Sequence, residues 1–246
     1  MTADARAGRK EQAGWPAGAR TAWSRLEDGN ARYAAALAAS DALEVGLSAG
    51  RPRDGVAAAQ TPFAAALGCA DARVPVETVF GCGPNEMFVT RVAGNIAAPA
   101  CVGSLQYAVA NLPELEVVVV LGHRGCGALA AAVDLTLAPA SYPELRSTHE
   151  LRSVVDALFG SVALTAAALP AAQASDRDRL LDAAILVHAT LTAASLAERL
   201  DMPVLTGVAD LVTGEVCSGR GATARKGLTP APQGPFDVAK VLSEAG

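Results

Sequence analysis

Two short clusters in the sequence carry residue types that do chemistry together. Leu67-Gly68-Cys69-Ala70-Asp71-Ala72-Arg73-Val74-Pro75 sets a thiol, a carboxylate and a guanidinium at alternate positions, directly after an apolar run. Gly122-His123-Arg124-Gly125-Cys126-Gly127 also follows an apolar run directly. Cysteine and histidine bind zinc at neutral pH as thiolate and neutral imidazole. His123 and Cys126 are three apart, so one tight turn can aim both at one ion; Cys69 has to be brought in by the fold. Three protein ligands are what a catalytic zinc uses when its fourth position stays open, whereas a structural zinc ordinarily takes four. The nearest additional donor is Asp71.

Alternate residues of an extended chain point the same way, so Cys69, Asp71 and Arg73 can share a face. Asp71 then has two roles open to it. Paired with Arg73, it can accept a hydrogen bond from a metal-bound hydroxide and orient its lone pair. Released from Arg73, it can take the fourth zinc position and close the site. Two thiolates cancel the charge of Zn²⁺, so bound water should ionise less readily than the ~7 of three-histidine sites. Activity is therefore expected to rise on the alkaline side of neutrality, and a flat rate profile from about pH 6 to 9 would count against this.

The elements that must position these groups alternate between strand and helix. Phe63–Leu67 is a short apolar run bounded by Pro62 and Gly68, and Cys69 sits at its end. Met87–Val92 is a second strand, broken by Gly94-Asn95. Val117–Leu121 has the composition of a strand buried on both faces and leads into His123. Val204–Val208 is a fourth, and Val216-Cys217, after the turn Thr213-Gly214-Glu215, a short edge strand. Between them, Cys101–Leu112 has helical spacing and is stopped by Pro113; Gly127–Leu137 is again helical. Residues 143–200 read as mostly helical, with breaks at Gly160 and near Pro170. A short helix is expected near Val238–Leu242. This alternation implies an α/β fold: a mostly parallel central sheet of four to five strands flanked by helices. Sites in such sheets form at the carboxyl ends of the strands, where both clusters lie.

Thr21–Ala38 reads as an amphipathic helix with Trp23, Leu26, Tyr33 and Leu37 near one face. It either packs on its own core or grips a partner subunit. Asp41–Gly55 reads as a linker. With no internal repeat, the 246 residues are expected to form a single domain: an N-terminal arm and linker over 1–55 and an α/β core over 56–246. The net charge of −5 with mixed signs argues against nucleic acid. Residues 1–18 lack a signal-peptide pattern, and the apolar runs are near strand length, short of the ~20 residues of a membrane span. Five cysteines at irregular spacing argue for reduced thiols and a cytoplasmic location. Cys82, Cys101 and Cys217 lie outside any ligand-like pair and read as small buried or loop residues.

Cys-x-Asp-x-Arg, a Gly-Asn after a strand and His-x-x-Cys-Gly together resemble the β-class carbonic anhydrases. The likeness runs from Gln60 through Arg73-Val74-Pro75, Phe88-Val89-Thr90-Arg91, Ala93-Gly94-Asn95 and Tyr107-Ala108-Val109 to Leu121-Gly122-His123. It continues more weakly over residues 207–214. Trp23-Ser24-Arg25-Leu26, Gly29-Asn30 and Arg32-Tyr33 are similar to that family's first helix. The resemblance implies reversible hydration of CO₂ to bicarbonate and a proton. Cys69, His123 and Cys126 would hold one zinc per subunit, whose hydroxide attacks CO₂; Asp71 would orient the hydroxide and Arg73 would hold Asp71. Gln60 matches the family's substrate-side glutamine, and Phe88, Ala93 and Tyr107, with Gly127 beside them, its substrate lining. Some of these come from a neighbouring subunit in that family, which implies a homodimer or larger assembly.

The chain also departs from the family pattern. Ala70 and Ala72 replace the usual serines, and Val92 replaces an asparagine. One extra residue separates Tyr107 from His123. Ala66 stands where the subgroup with a regulatory bicarbonate pocket has tryptophan, although Arg91 matches that pocket's arginine. Other readings stay open: a carbonyl sulfide or carbon disulfide hydrolase, a non-catalytic zinc or bicarbonate-binding protein, and a cysteine-nucleophile enzyme using Cys126 and His123. His149 reads as solvated and His188 as a satisfied core histidine, with proton relay open to either.

Overall fold

The computed structural model describes residues 14–40, 58–140, 148–219, 225–234 and 236–244. The expected linker at 41–55 and the first part of the arm lie outside these residues. Four strands of five to seven residues run parallel: β1 (Ala64–Gly68), β2 (Met87–Arg91), β3 (Val117–His123) and β4 (Val204–Ala209). Beyond β4, β5 (Val216–Ser218) and β6 (Arg225–Lys226) continue the sheet antiparallel, in the order β2-β1-β3-β4-β5-β6, and β7 (Thr229–Pro230) pairs with β4. The strand expected at the edge, β5, is thus flanked on both sides. Its neighbour β6 has only two residues, too few for any hydrophobic period to show in the sequence.

Period-2 alternation sorts the core onto two faces. Ala64, Ala66, Val117, Val119 and Leu121 pack under α1 (Ala17–Ala39) and α2 (Val76–Val79). Ala65, Leu67, Val118 and Val120 pack under α3 (Pro99–Asn111) and the C-terminal part of α7 (Arg177–Ala197). A further cluster joins α4 (Gly127–Leu137), α5 (His149–Ala168) and α7. A one-turn helix, α6 (Ala171–Ala174), links α5 to α7, and α8 (Val238–Glu244) closes the described chain.

The break expected at Gly160 does not occur; α5 runs through it. A mid-helix glycine costs about 1 kcal/mol relative to alanine, and the buried face of Val155, Leu158, Ser161, Val162 and Thr165 outweighs that. Thr148 caps the helix by accepting a hydrogen bond from the Leu151 amide at 3.2 Å. By length and composition, α5 and α7 are apolar enough to cross a membrane. The sequence expectation of strand-length apolar runs missed this because alanine and scattered polar residues interrupt them without lowering the mean hydropathy much. α7 spends that surface inside the protein, with 78% of its apolar window buried.

The N-terminal helix packs on the chain's own core, the first of its two readings. Trp23 and Leu26 of α1 are fully buried against this chain's own sheet. Asn30 donates to the carbonyls of Val79 (3.1 Å) and Gly214 (2.9 Å) and accepts from the Val216 amide (2.8 Å). One buried amide thereby ties α1 to α2 and to the β4–β5 turn. Gly29 permits this approach: a Cβ there would sit 1.8 Å from the Phe80 carbonyl oxygen. Gly29→Ala should therefore destabilise the protein by about 2 kcal/mol through overpacking, lowering Tm by roughly 4–8 °C. Thermal unfolding of the two proteins measures this; an unchanged Tm would mean that α1 does not dock here.

Candidate metal centre

Parallel pairing places the two clusters side by side. Gly68 at the end of β1 is in register with Leu121 of β3, so Cys69 leaves one strand as Gly122-His123 completes the next. His123 is in turn paired with Ala209 of β4. The loop after β3 turns at Gly125 (φ 64°), a left-handed conformation suited to glycine, and delivers Cys126 to the N-cap of α4. Cys69 Sγ, Cys126 Sγ and a ring nitrogen of His123 lie within 4.8 Å of one another, all three residues buried. They are the one such cluster of His, Cys, Asp or Glu among the described residues.

The arrangement fits a metal. His123 is fully buried, and its Nδ1 donates to the Arg124 carbonyl at 3.0 Å. That bond leaves the free lone pair on Nε2, which has no hydrogen-bond partner. A buried, unpartnered acceptor costs free energy unless something fills its coordination. The two sulfurs are the softest donors available, and imidazole with thiolates suits zinc.

The electrostatics point the same way. The hydrogen bond from Cys126 is the largest influence holding Cys69 toward thiolate, with the Asp71 and Gly94 amides adding to it. The same bond and burial push the Cys126 thiol far up. Metal binding by the pair would release the remaining thiol proton. Burial disfavours protonation of His123, but the adjacent Cys69 sulfur outweighs it and raises the ring's pKa.

Asp71 faces Arg73. Its Oδ1 accepts from Arg73 Nε (2.9 Å) and the Arg73 amide (3.0 Å), and its Oδ2 accepts from Nη2 (2.6 Å). Its Oδ2 also lies 3.9 Å from His123 Nε2. The Arg73 hydrogen bonds hold the carboxyl well below the usual range despite some desolvation. For Asp71 to close the site, these bonds must break.

The family model described as carbonic anhydrase matches residues 64–216, well over half of the chain. The chain belongs to the β-class carbonic anhydrase family. It is 42% identical over 112 residues to carbonic anhydrase 2 of Mycobacterium tuberculosis, covering 46% of this chain and 51% of that protein. It is 41% identical over 114 residues to a carbonic anhydrase of Mycolicibacterium smegmatis, covering 46% and 52%. The chain spans about half the length of these curated relatives. Among solved structures, the Coccomyxa β-carbonic anhydrase in complex with acetazolamide shares the fold, with TM-score 0.52 and 24% identity over 64% of this chain and 71% of that one.

Against this β-class frame, the remaining predicted residues fall in different places. Ala93 opens the 3-10 turn Ala93–Asn95, whose Gly94 amide donates to Cys69 Sγ. Phe88 lies on β2 in register with Ala65 and packs on the α3 side of the sheet. Gly127 is exposed at the first turn of α4. Gln60 is exposed ahead of β1, and Tyr107 is 53% exposed on α3. The structure of one chain thus brings together the ligands and the Asp71–Arg73 pair, and leaves Gln60 and Tyr107 at its surface. Arg91 donates to the carbonyls of Cys69 (2.8 Å) and Asp71 (2.5 Å), clamping the backbone that carries both side chains. Sequence reasoning assigned no such clamp, because the signal is a pairing between β1 and β2 rather than a motif. Cys82 and Cys101 are buried, Cys217 is half-buried, and all five cysteines are free. His149 is exposed at the start of α5, as expected.

His188 on α7 is buried and satisfied on both nitrogens: Nε2 donates to the Gly94 carbonyl (2.9 Å), and Nδ1 lies 3.0 Å from Ser161 Oγ. Burial lowers its pKa to about 4, which keeps the ring neutral near neutral pH. The unfolded chain takes up that proton near 6.5, so folding stability from this group is intact above about pH 6.5 and is lost as pH falls toward 4. The full cost is about 3 kcal/mol. His188→Gln should flatten the loss of stability between about pH 6.5 and 4.5, measured by denaturant unfolding at each pH; an equally steep loss would place the acid sensitivity elsewhere.

Proposed function

We propose that this chain is a zinc-dependent carbonic anhydrase that reversibly hydrates CO₂ to bicarbonate and a proton. The observation that carries the reading is the buried convergence of Cys69, His123 and Cys126, with His123 Nε2 unpartnered, in a chain of the carbonic anhydrase family. Zinc held by these three residues supplies Lewis-acid activation of water at neutral to alkaline pH. The chain supplies orientation. Arg73 keeps Asp71 ionised and fixes both carboxylate oxygens, so Asp71 can only accept a hydrogen bond from the reacting water and thereby aims a lone pair at CO₂. Arg91 holds the backbone of Cys69 and Asp71, which keeps ligand and acceptor at constant separation. Phe88, Ala93 and Gly127 offer small or apolar surface suited to an uncharged linear substrate.

We assign Gln60 and Tyr107 to a substrate wall completed by a second copy of the chain, so the working unit is a homodimer or larger. Their exposure on the single chain supports this. Five free thiols support a reducing, cytoplasmic setting. The reading is tested by side-by-side turnover of CO₂ and carbonyl sulfide with zinc-loaded protein. Hydration of CO₂ as the faster reaction is expected; turnover of carbonyl sulfide alone would replace the assignment.

A further inference from the structure

We propose that His188, far from the ligands in sequence, is a positioning residue for the metal centre, acting through Gly94 on the Cys69 sulfur. The proposal rests on the metal reading of Cys69, His123 and Cys126. Three contacts form an unbroken chain. Ser161 Oγ lies 3.0 Å from His188 Nδ1, His188 Nε2 donates to the Gly94 carbonyl at 2.9 Å, and the Gly94 amide donates to Cys69 Sγ at 3.4 Å. One direction is forced: a carbonyl only accepts, so the Nε2 of the neutral ring carries the proton, and Nδ1 faces the Ser161 hydroxyl, which also donates to the Leu158 carbonyl at 2.9 Å.

Gly94 is the joint. Its φ of 68° and ψ of 16° are left-handed, and a Cβ added there would press on Leu158 Cδ1 at 3.1 Å and Ala128 Cβ at 3.3 Å. With those dihedrals set, holding the carbonyl on one side of its Cα aims the amide on the other side. An amide aimed at a sulfur stabilises the thiolate and tunes its bond to a metal. A residue that only filled space at position 188 would be apolar. Here a 5% exposed imidazole is kept polar, and its donor is spent on the turn that touches a ligand.

The test loads cobalt(II) into wild type, H188Q, H188N and H188L. It reads the thiolate-to-cobalt charge-transfer band and the rate of cobalt loss to a chelator, per folded molecule. Glutamine places an amide donor near the Nε2 position; asparagine is too short to reach, and leucine has no donor. H188Q should match wild type within about twofold, whereas H188N and H188L should lose cobalt about 10- to 100-fold faster with a shifted band. Four proteins with the same band and loss rate, whatever their Tm, would overturn the proposal and make His188 a packing residue. So would H188Q behaving like H188N. If H188L does not fold, the glutamine–asparagine comparison decides alone. A wild type with no thiolate–cobalt band would instead overturn the metal reading on which the proposal stands.

Discussion

Cys69→Ala, His123→Ala and Cys126→Ala should each abolish stoichiometric zinc binding and lower CO₂ hydration by on the order of a thousand-fold or more, since water without a Lewis acid is far too weakly ionised to attack at neutral pH. The three substitutions should be grossly non-additive, because each alone dismantles the same centre. Metal analysis and initial hydration rates on the purified variants check this together. The Cys69 variant also discriminates against a cysteine-nucleophile enzyme. That reading needs Cys126 and His123 but not Cys69, and it keeps its activity in metal-stripped protein. Retained activity in Cys69→Ala would contradict the zinc account.

Asp71→Asn should lower kcat by about 100-fold or more with zinc still bound at wild-type stoichiometry, a loss in the range expected for a positioned proton acceptor. Asparagine matches the shape of aspartate but turns an obligate acceptor into a group that also donates, and its neutral amide is no longer clamped by Arg73. Because Arg73 holds Asp71 ionised far into acid, Asp71 does not titrate near neutral pH. The alkaline rise in rate should therefore persist in Asp71→Asn at a lower level. Arg73→Gln should cost kcat about tenfold and leave Tm nearly unchanged, since its side chain is mostly exposed and an exposed ion pair contributes little stability. Steady-state kinetics across pH with parallel zinc analysis measure both variants. A normal kcat in Asp71→Asn would remove Asp71 from the reaction.

The ligand set was legible in the sequence because its determinants are local. A thiol directly after an apolar strand, and a histidine and cysteine within one turn after another, announce themselves by type and spacing. The parallel sheet was legible from the same runs, and the four long strands lie within a residue or two of the expected bounds. What escaped depends on contacts between distant segments. The mode of packing of α1 is decided by Gly29 and Asn30 meeting residues far along the chain. The two-residue strands β6 and β7 exist only because β5 and β4 offer them edges. Gly160 signalled a helix break that buried neighbours override. The Arg91 clamp and the His188–Gly94–Cys69 chain join β2 and α7 to the end of β1, and no spacing rule reaches that far.

The central claim is that zinc at Cys69, His123 and Cys126 is the catalytic group. It is tested most directly by titrating zinc into chelator-stripped protein while following bound metal and CO₂ hydration in the same samples. Both should rise together and saturate at one zinc per chain, and neither should rise in Cys126→Ala. Hydration that is independent of added zinc, or stoichiometric zinc binding with no hydration from neutral to alkaline pH, would contradict it.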